Sequence, residues 1–284
     1  MNKKSVAIAV IGGDKRQEYA AQLLESRGYR VTTYGVKAAD MCRSLREAVS
    51  GANLILGPVP FTRDHHTLVC AKDVEAPTLL ELTMLLSEKQ ILVGGLIPEP
   101  VIRSCNERQI GCFDFMKSET LAVFNSIATA EGAIAEAVLR HPSNLHGADI
   151  LVMGYGRCGK TLADKLHSLS ASVTVCARSQ EERMHAIVQG CRSVDFEECY
   201  ENLSRFEIIF NTVPALVLDE RALKKVSKET LIIDIASAPG GVDFAASGVL
   251  GIEAVLCSAL PGRYSPKSSA KAVVEEMLRH CINN

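Results

Sequence analysis

Ala148-Asp149-Ile150-Leu151-Val152-Met153-Gly154-Tyr155-Gly156-Arg157-Cys158-Gly159 carries an apolar run straight into Gly-x-Gly-x-x-Gly. A helix-like segment, 160–169, follows, and then a second apolar run, Ser172-Val173-Thr174-Val175-Cys176-Ala177. Strand, glycine turn, helix and strand in that order predict a dinucleotide-binding unit, which the glycines alone do not. Gly154 permits the tight turn, Gly156 leaves bare backbone for a pyrophosphate, and Gly159 lets the helix pack close to the strand. Arg157 opens the helix, whose N-terminal N–H groups and partial positive charge suit phosphates. The competing reading is a structural glycine turn in an α/β domain.

The end of the second strand selects the cofactor. An NAD site has an acid about 20 residues past the glycines, to bind the ribose 2′-hydroxyl. Arg178-Ser179 stands there instead. A guanidinium grips a 2′-phosphate with two parallel hydrogen bonds, so NADP is expected ahead of NAD. On the alternative reading Arg178 is a solvated residue, and Glu181 or Glu182 supplies the acid from slightly too far along, on the next helix.

The 284 residues have room for two domains. Hydrophobic residues make up 47% and aromatics only 5%, so the apolar content is mostly Ala, Val, Leu and Ile. Buried parallel strands covered by helices have this composition. A net charge of −2 argues against general attraction to nucleic acid or to an acidic membrane. No apolar run approaches a membrane span, and residues 1–5 lead into a strand with no signal-peptide pattern. The ten cysteines form no Cys-x-x-Cys and none stands at zinc spacing from a histidine. A reduced, cytoplasmic protein without a metal is expected.

Outward from the glycine turn, 6–11 reads as a strand ending at Gly12-Gly13-Asp14, 15–27 as a helix stopped by Gly28, and 29–34 as a strand. Helices are predicted at 41–49, 78–87 and 101–107, and strands at 53–56, 91–93 and 110–113. A helix over 118–141, about 36 Å long, can bridge two domains. Beyond Arg178 a helix at 180–189, strands at 193–196, 208–213, 231–235 and 255–257, and a helix at 220–226 complete the second domain. The last helix, 268–281, is expected to pack back on the first. The fold class is α/β, with two doubly wound parallel-sheet domains linked by long helices. The division is 1–141 with 266–284, and 142–265 as the Rossmann domain.

Two strand ends lie where ligands of open α/β sheets bind. Asn211-Thr212-Val213-Pro214 joins Gly154, Gly156, Arg157, Gly159, Arg178 and Ser179 in the expected cofactor set. Asp234-Ile235-Ala236-Ser237-Ala238-Pro239-Gly240-Gly241 is the second. In the first domain, Asp14 is either a helix N-cap or, with Arg16, a substrate contact.

The chain resembles the A subunits of dipicolinate synthase along essentially its whole length. The resemblance rests on Gly12-Gly13-Asp14-x-Arg16, Asn125-Ser126-Ile127-x-Thr129-Ala130-Glu131-Gly132 and the glycine turn at 154–159. It continues through Asn211-Thr212-Val213-Pro214-Ala215, Asp234-Ile235-Ala236-Ser237-x-Pro239-Gly240-Gly241-x-Asp243-Phe244 and Leu260-Pro261-Gly262-Arg263-Tyr264-Ser265-Pro266-Lys267. It implies oxidation of dihydrodipicolinate to dipicolinate (pyridine-2,6-dicarboxylate) on a branch of the lysine pathway. The setting implied is the mother cell of a sporulating bacterium, and the partner a flavoprotein-like B subunit. The wider architecture is similar to that of D-2-hydroxyacid and alanine dehydrogenases, with a Rossmann domain inserted into a flavodoxin-like one.

On that reading the substrate loses a hydride and a proton and becomes aromatic. Its two carboxylates call for cations or N–H donors. Arg16, Arg263 and Lys267 are the cation candidates, with Ser237, Gly240 and Gly241 as donors; each is otherwise a surface charge or a turn residue. The base is unassigned, with His65, His66 and Asp14 as candidates, the two histidines being otherwise surface-loop residues. No histidine stands between His185 and His280, which argues against simple 2-hydroxyacid oxidation. A dehydrogenase for another small acid, or a non-catalytic NADP-binding subunit that regulates its partner, stay open, as does a homo-oligomer.

Overall fold

Alternating short apolar runs and amphipathic segments fold as two parallel sheets in the computed structural model, which describes residues 6–38 and 40–282. The reading of residues 1–5 lies outside the described residues, as do the last two positions of the 266–284 segment. Contacts divide the chain into two units, 1–122 with 265–284, and 123–264.

The first unit runs β1 (Ala7–Ile11), α1 (Lys15–Ser26), β2 (Arg30–Tyr34), α2 (Leu45–Val49), β3 (Leu54–Leu56), α3 (Leu79–Leu85), β4 (Ile91–Gly94), α4 (Glu99–Glu107) and β5 (Gly111–Asp114). All its strand pairs are parallel, in the order β2-β1-β3-β4-β5. This is the flavodoxin-like order, with its switch point between β1 and β3. Alternate residues of β1 face opposite cores. Ile8 and Val10 pack with Ala20 and Leu24 of α1, whereas Ala9 and Ile11 pack with Leu45, Leu82 and Val101. The C-terminal helix, α12 (Pro266–Cys281), buries Val273, Val274 and Met277 in the first of these cores.

The long helix α5 (Glu119–Arg140) leads into the second unit. There follow β6 (Asp149–Met153), α6 (Arg157–Ser168), β7 (Ser172–Cys176), α7 (Gln180–Val188), β8 (Arg192–Val194), α8 (Phe196–Glu201), β9 (Ile208–Asn211), α9 (Glu220–Leu223), β10 (Leu231–Asp234), α10 (Phe244–Leu250), β11 (Ala254–Leu256) and α11 (Leu260–Tyr264). The parallel order β11-β10-β9-β6-β7-β8 is the Rossmann order, with its switch point between β6 and β9. The α/β class with two doubly wound sheets is therefore as the sequence predicts.

The differences are local and have causes. The unit division falls inside α5, not after 141, because Ala130, Ala133 and Ala137 pack with Ile150, Phe210 and Ile233 of the second core. By length and composition α5 can also cross a membrane, which corrects the reading that no segment approaches a span. Its buried alanines make it a core helix of the unit. Phe196 starts a helix instead of ending a strand, because the Asp195 carboxylate accepts from Glu198 N at 2.9 Å and caps α8. All ten cysteines are free thiols, and five of them, Cys105, Cys176, Cys191, Cys199 and Cys257, are buried.

Candidate functional site

The switch point of the second sheet is shaped by its glycines. At Gly154 φ is +91°, and a Cβ would meet Thr212 Oγ1 at 2.5 Å. At Gly159 a Cβ would stand 2.2 Å from Gly154 O, so the first turn of α6 rests on the strand end itself. At Gly156 a Cβ would meet nothing within 4 Å. Two glycines thus close the turn, and the one between them borders open space at the start of α6. Gly156 is the N-cap of that helix and supplies no side-chain cap, and the first turn holds no acid. Such a terminus presents N–H groups to an anion, so the residues fit a dinucleotide pyrophosphate. Arg157 is exposed at the first position of α6.

At the end of β7, Arg178 and Ser179 are exposed. Ser179 caps α7, its hydroxyl accepting from Glu182 N at 3.0 Å. Arg183 points back, donating to Ala177 O at 2.8 Å and Arg178 O at 2.7 Å. This strand end therefore carries one committed cation, Arg183, which the sequence reading does not single out, beside an exposed one, Arg178.

The turn after β9 is held from within. Asn211 is fully buried; its amide donates to Val213 O and to Asp234 Oδ1, and its oxygen accepts from Val213 N, each at 3.0 Å. Thr212 donates to Met153 O at 2.9 Å. These side chains shape the wall of the site and do not project from it. Val213 is half-buried and Pro214 exposed beyond them.

Asp234, at the end of β10, is the hub of the neighbouring loop. It is fully buried and accepts from Asn211 Nδ2, from Ala236 N at 2.9 Å and from Gly241 N at 2.6 Å. Gly240 N donates to Ser237 O at 2.9 Å. The N–H groups of Gly240 and Gly241, expected as substrate donors, are thus engaged within the loop. Their lack of side chains has a packing cause, since a Cβ on Gly240 would meet Asp234 Oδ2 at 2.5 Å and one on Gly241 would meet Ala215 O at the same distance. Ser237 is exposed on this loop.

The expected substrate cations are also placed. Arg263 pairs with Glu136 Oε1 at 2.7 Å, so its charge is matched inside the second unit. The same carboxylate takes Tyr264 OH at 2.8 Å and Arg140 Nη2 at 3.1 Å. Burial pushes the Glu136 carboxyl up, but these hydrogen bonds and the Arg263 charge outweigh it and hold it below its ordinary range. In the first unit Arg16 is buried and binds Asp14 through Nε at 2.9 Å and Nη2 at 2.7 Å, and also reaches Val59 O. Burial raises the Asp14 carboxyl, and the bonds and charge of Arg16 outweigh it. Asp14 is therefore the helix cap, accepting from Arg16 N at 2.9 Å, and a poor base. His65 and His66 are exposed on a loop of the first unit. Lys267 lines a cavity of about 380 Å³ with Tyr19, Gln22, Ser26 and Lys271, against the later turns of α1 and away from Asp14 at its start. Sequence reasoning gives no role to the clamp Glu136, and none of its own to the hub Asp234, although Asp234 opens a strand-end stretch that it does single out. The signal for Asp234 was its place at a strand end before two glycines; Glu136 has no local signal.

Sheet order and cradle together define a dehydrogenase-like protein with a nicotinamide dinucleotide site. Residues 7–116 match the family described as the N-terminal domain of the A subunit of dipicolinate synthase, and residues 134–255 match shikimate / quinate 5-dehydrogenase. Over nearly its whole length the chain is similar to dipicolinate synthase A subunits. It is 29% identical over 275 residues to the dipicolinate synthase A subunit of Bacillus subtilis (strain 168), covering 93% of this chain and 92% of that one. The crystal structure of the dipicolinate synthase A subunit from Bacillus halodurans superposes with a TM-score of 0.87 at 25% identity, over 98% of each chain. An L-alanine dehydrogenase structure shares the fold, with a TM-score of 0.63 at 13% identity over 95% of this chain and 88% of that one.

Proposed function

We propose that this chain is the NADP-dependent catalytic subunit that oxidises dihydrodipicolinate to dipicolinate, acting with a B subunit in the mother-cell cytoplasm of a sporulating bacterium. The observation that carries the reading is the cradle at Gly156, open above a helix start and closed on both sides by Gly154 and Gly159. When bound, the nicotinamide ring accepts the hydride that leaves a ring carbon of the substrate. The chain's own residues bind and orient. Gly156 and the first turn of α6 hold the pyrophosphate, and Arg178 takes the 2′-phosphate that separates NADP from NAD. Asp234 fixes the loop that presents Ser237. A proton leaves with the hydride, and the product gains a six-electron aromatic ring, so little is demanded of a base.

A second reading, a dinucleotide-binding subunit that regulates its partner, is favoured by a specific observation. Arg16 and Arg263, both expected as substrate cations, are paired with Asp14 and Glu136. The match of residues 134–255 to shikimate / quinate 5-dehydrogenase keeps a different small acid in the test. The full chain is titrated with NADPH and with NADH, then assayed with dihydrodipicolinate, with and without the B subunit, and with shikimate. A preference for NADPH of about tenfold or more, lost in Arg178→Ala, with dihydrodipicolinate turnover, is the expected result. Dinucleotide binding without turnover under any condition refutes the catalytic reading in favour of the regulatory one.

A further inference from the structure

With Arg16 and Arg263 neutralised by buried or half-buried carboxylates, the first unit still holds a cation at its own switch point. Val69 accepts from Gly13 N at 2.6 Å, and a Cβ on Gly12 would meet Val69 O at 2.3 Å. The loop 62–68 is therefore pressed against the turn that follows β1. Its ends are tied together, Val69 N donating to Phe61 O at 3.1 Å, and are anchored by the buried Phe61 and Leu68. Inside it Asp64 accepts from Thr62 Oγ1 at 3.0 Å, His66 N at 2.9 Å, Thr67 N at 2.8 Å and Thr67 Oγ1 at 2.6 Å. The one acid of the loop is thus held by the loop's own neutral donors, which keep it ionised and turn its oxygens away from an ion pair with Arg63. Arg63 stands next to it, exposed, with no ion pair among the described residues. Its charge reaches Asp14 and adds to the effect of Arg16 there. Asp14 and Arg16 are paired with one another, whereas Arg63 has no ion-pair partner among the described residues and is flanked by the exposed imidazoles of His65 and His66.

We propose that Arg63 is the residue that receives a carboxylate of the cyclic dicarboxylate substrate, in the place that its sequence position gives to Arg16. The inference rests on the dipicolinate reading for its ligand. A guanidinium suits a carboxylate because its planar fork donates two parallel hydrogen bonds. A loop fixed from both ends loses little freedom on binding, so the contact is not offset by ordering the chain. Arg16 keeps a supporting role: it holds the Asp14 cap and Val59 O in place, and leaves the open charge to its neighbour.

The test titrates the full chain, in the presence of NADP, with pyridine-2,6-dicarboxylate by calorimetry. Wild type is compared with Arg63→Gln, which keeps an amide-bearing stem, with Arg63→Lys, which keeps the charge without the fork, and with Arg103→Ala on α4 as an exposed control. The expected result is a Kd raised about tenfold or more in Arg63→Gln and by less in Arg63→Lys, with Arg103→Ala at the wild-type value. The KM for dihydrodipicolinate rises in the same order. Arg63→Gln binding within about twofold of a wild type that does turn over dihydrodipicolinate overturns the Arg63 assignment and leaves the function standing. A wild type that neither binds the product nor turns over the substrate overturns the function, and the Arg63 assignment with it.

Discussion

Adding one methyl group at Gly156 and at Gly159 should separate ligand binding from folding. The two glycines lie in the same turn, and the perturbation is the same. At Gly159 the new Cβ would sit 2.2 Å from Gly154 O and 2.9 Å from Gly154 C. An ordinary C···O approach is about 3.3 Å, so backbone must move by about 1 Å. Both atoms belong to the strand end, which cannot swing aside as a side chain can. Overpacking of this kind costs about 1–3 kcal/mol. For a chain of this size that is a fall in Tm of roughly 2–12 °C. At Gly156 the backbone is in an ordinary region, with φ of −73°, and the Cβ meets nothing within 4 Å. The change in stability should stay at or below about 1 kcal/mol, the cost of Ala in place of Gly at an N-cap. The methyl group then occupies the space left for the pyrophosphate, and NADPH affinity falls by about tenfold or more. Thermal unfolding without ligand and calorimetric titration with NADPH read the two effects. If Gly156→Ala lowers Tm as much as Gly159→Ala, or binds NADPH as wild type does, the assignment of an open cradle is wrong.

Other outcomes follow from the same contacts. Asp234→Asn removes a charged acceptor and turns an N–H toward Gly241 N or Ala236 N, so stability should fall by about 1.5–3 kcal/mol in urea unfolding; an unchanged midpoint removes Asp234 as the hub. Arg178→Ala should leave Tm unchanged, because the residue is exposed, and bring NADPH and NADH affinities together. The Glu136 carboxyl is lowered in the folded state from its ordinary 4.5. A depressed carboxyl contributes stability above its unfolded value and loses it as pH falls through its folded value. The stability gap between wild type and Glu136→Gln should therefore be largest near neutral pH and narrow as pH falls below 4.5, measured by unfolding at several pH values. A gap that does not change with pH refutes the ion-pair account of Arg263 and Arg140.

The sheets were legible because their signal is local. Four- and five-residue apolar runs such as 231–234 and 149–153, each followed by a turn and a helix, suffice for the parallel order once the glycine turn is recognised. Short helices were harder. The helix at 196–201 has one buried residue, Cys199, and no apolar stripe; its signal is the Asp195 cap followed by Glu198. The helix at 244–250 is similar, with Asp243 accepting from Ala246 N at 2.9 Å. Site roles were least legible, because a residue's type does not say whether its charge is already matched. Arg263 is bound by Glu136 and Arg16 by Asp14, and the first partnership joins distant segments. Gly240 and Gly241 stand where donors were expected; Asp234 leaves no room for a Cβ at 240 and takes the N–H of Gly241, while Ala215 O leaves none at 241 and Ser237 O takes the N–H of Gly240. The glycines differ in what surrounds them: Gly156 faces open space, whereas Gly154, Gly159, Gly240 and Gly241 are packed against their neighbours, a difference the sequence pattern does not carry.

The two outermost strands of the second sheet, β8 and β11, have three residues each. A strand that short offers another chain few unpaired N–H and C=O groups, and β8 adds Arg192, about half exposed and paired with Asp149 at 2.6 Å, which keeps the rim polar. Inside them lie Ser172-Val173-Thr174-Val175-Cys176 and Leu231-Ile232-Ile233-Asp234, strands rich in β-branched residues and almost without charge. Fraying of either rim strand uncovers one of these as a template for intermolecular pairing. Colloidal stability of the protein is therefore guarded by six residues at the margins of the sheet, and its aggregation is expected to begin with loss of a rim strand while the rest of the Rossmann unit is still folded.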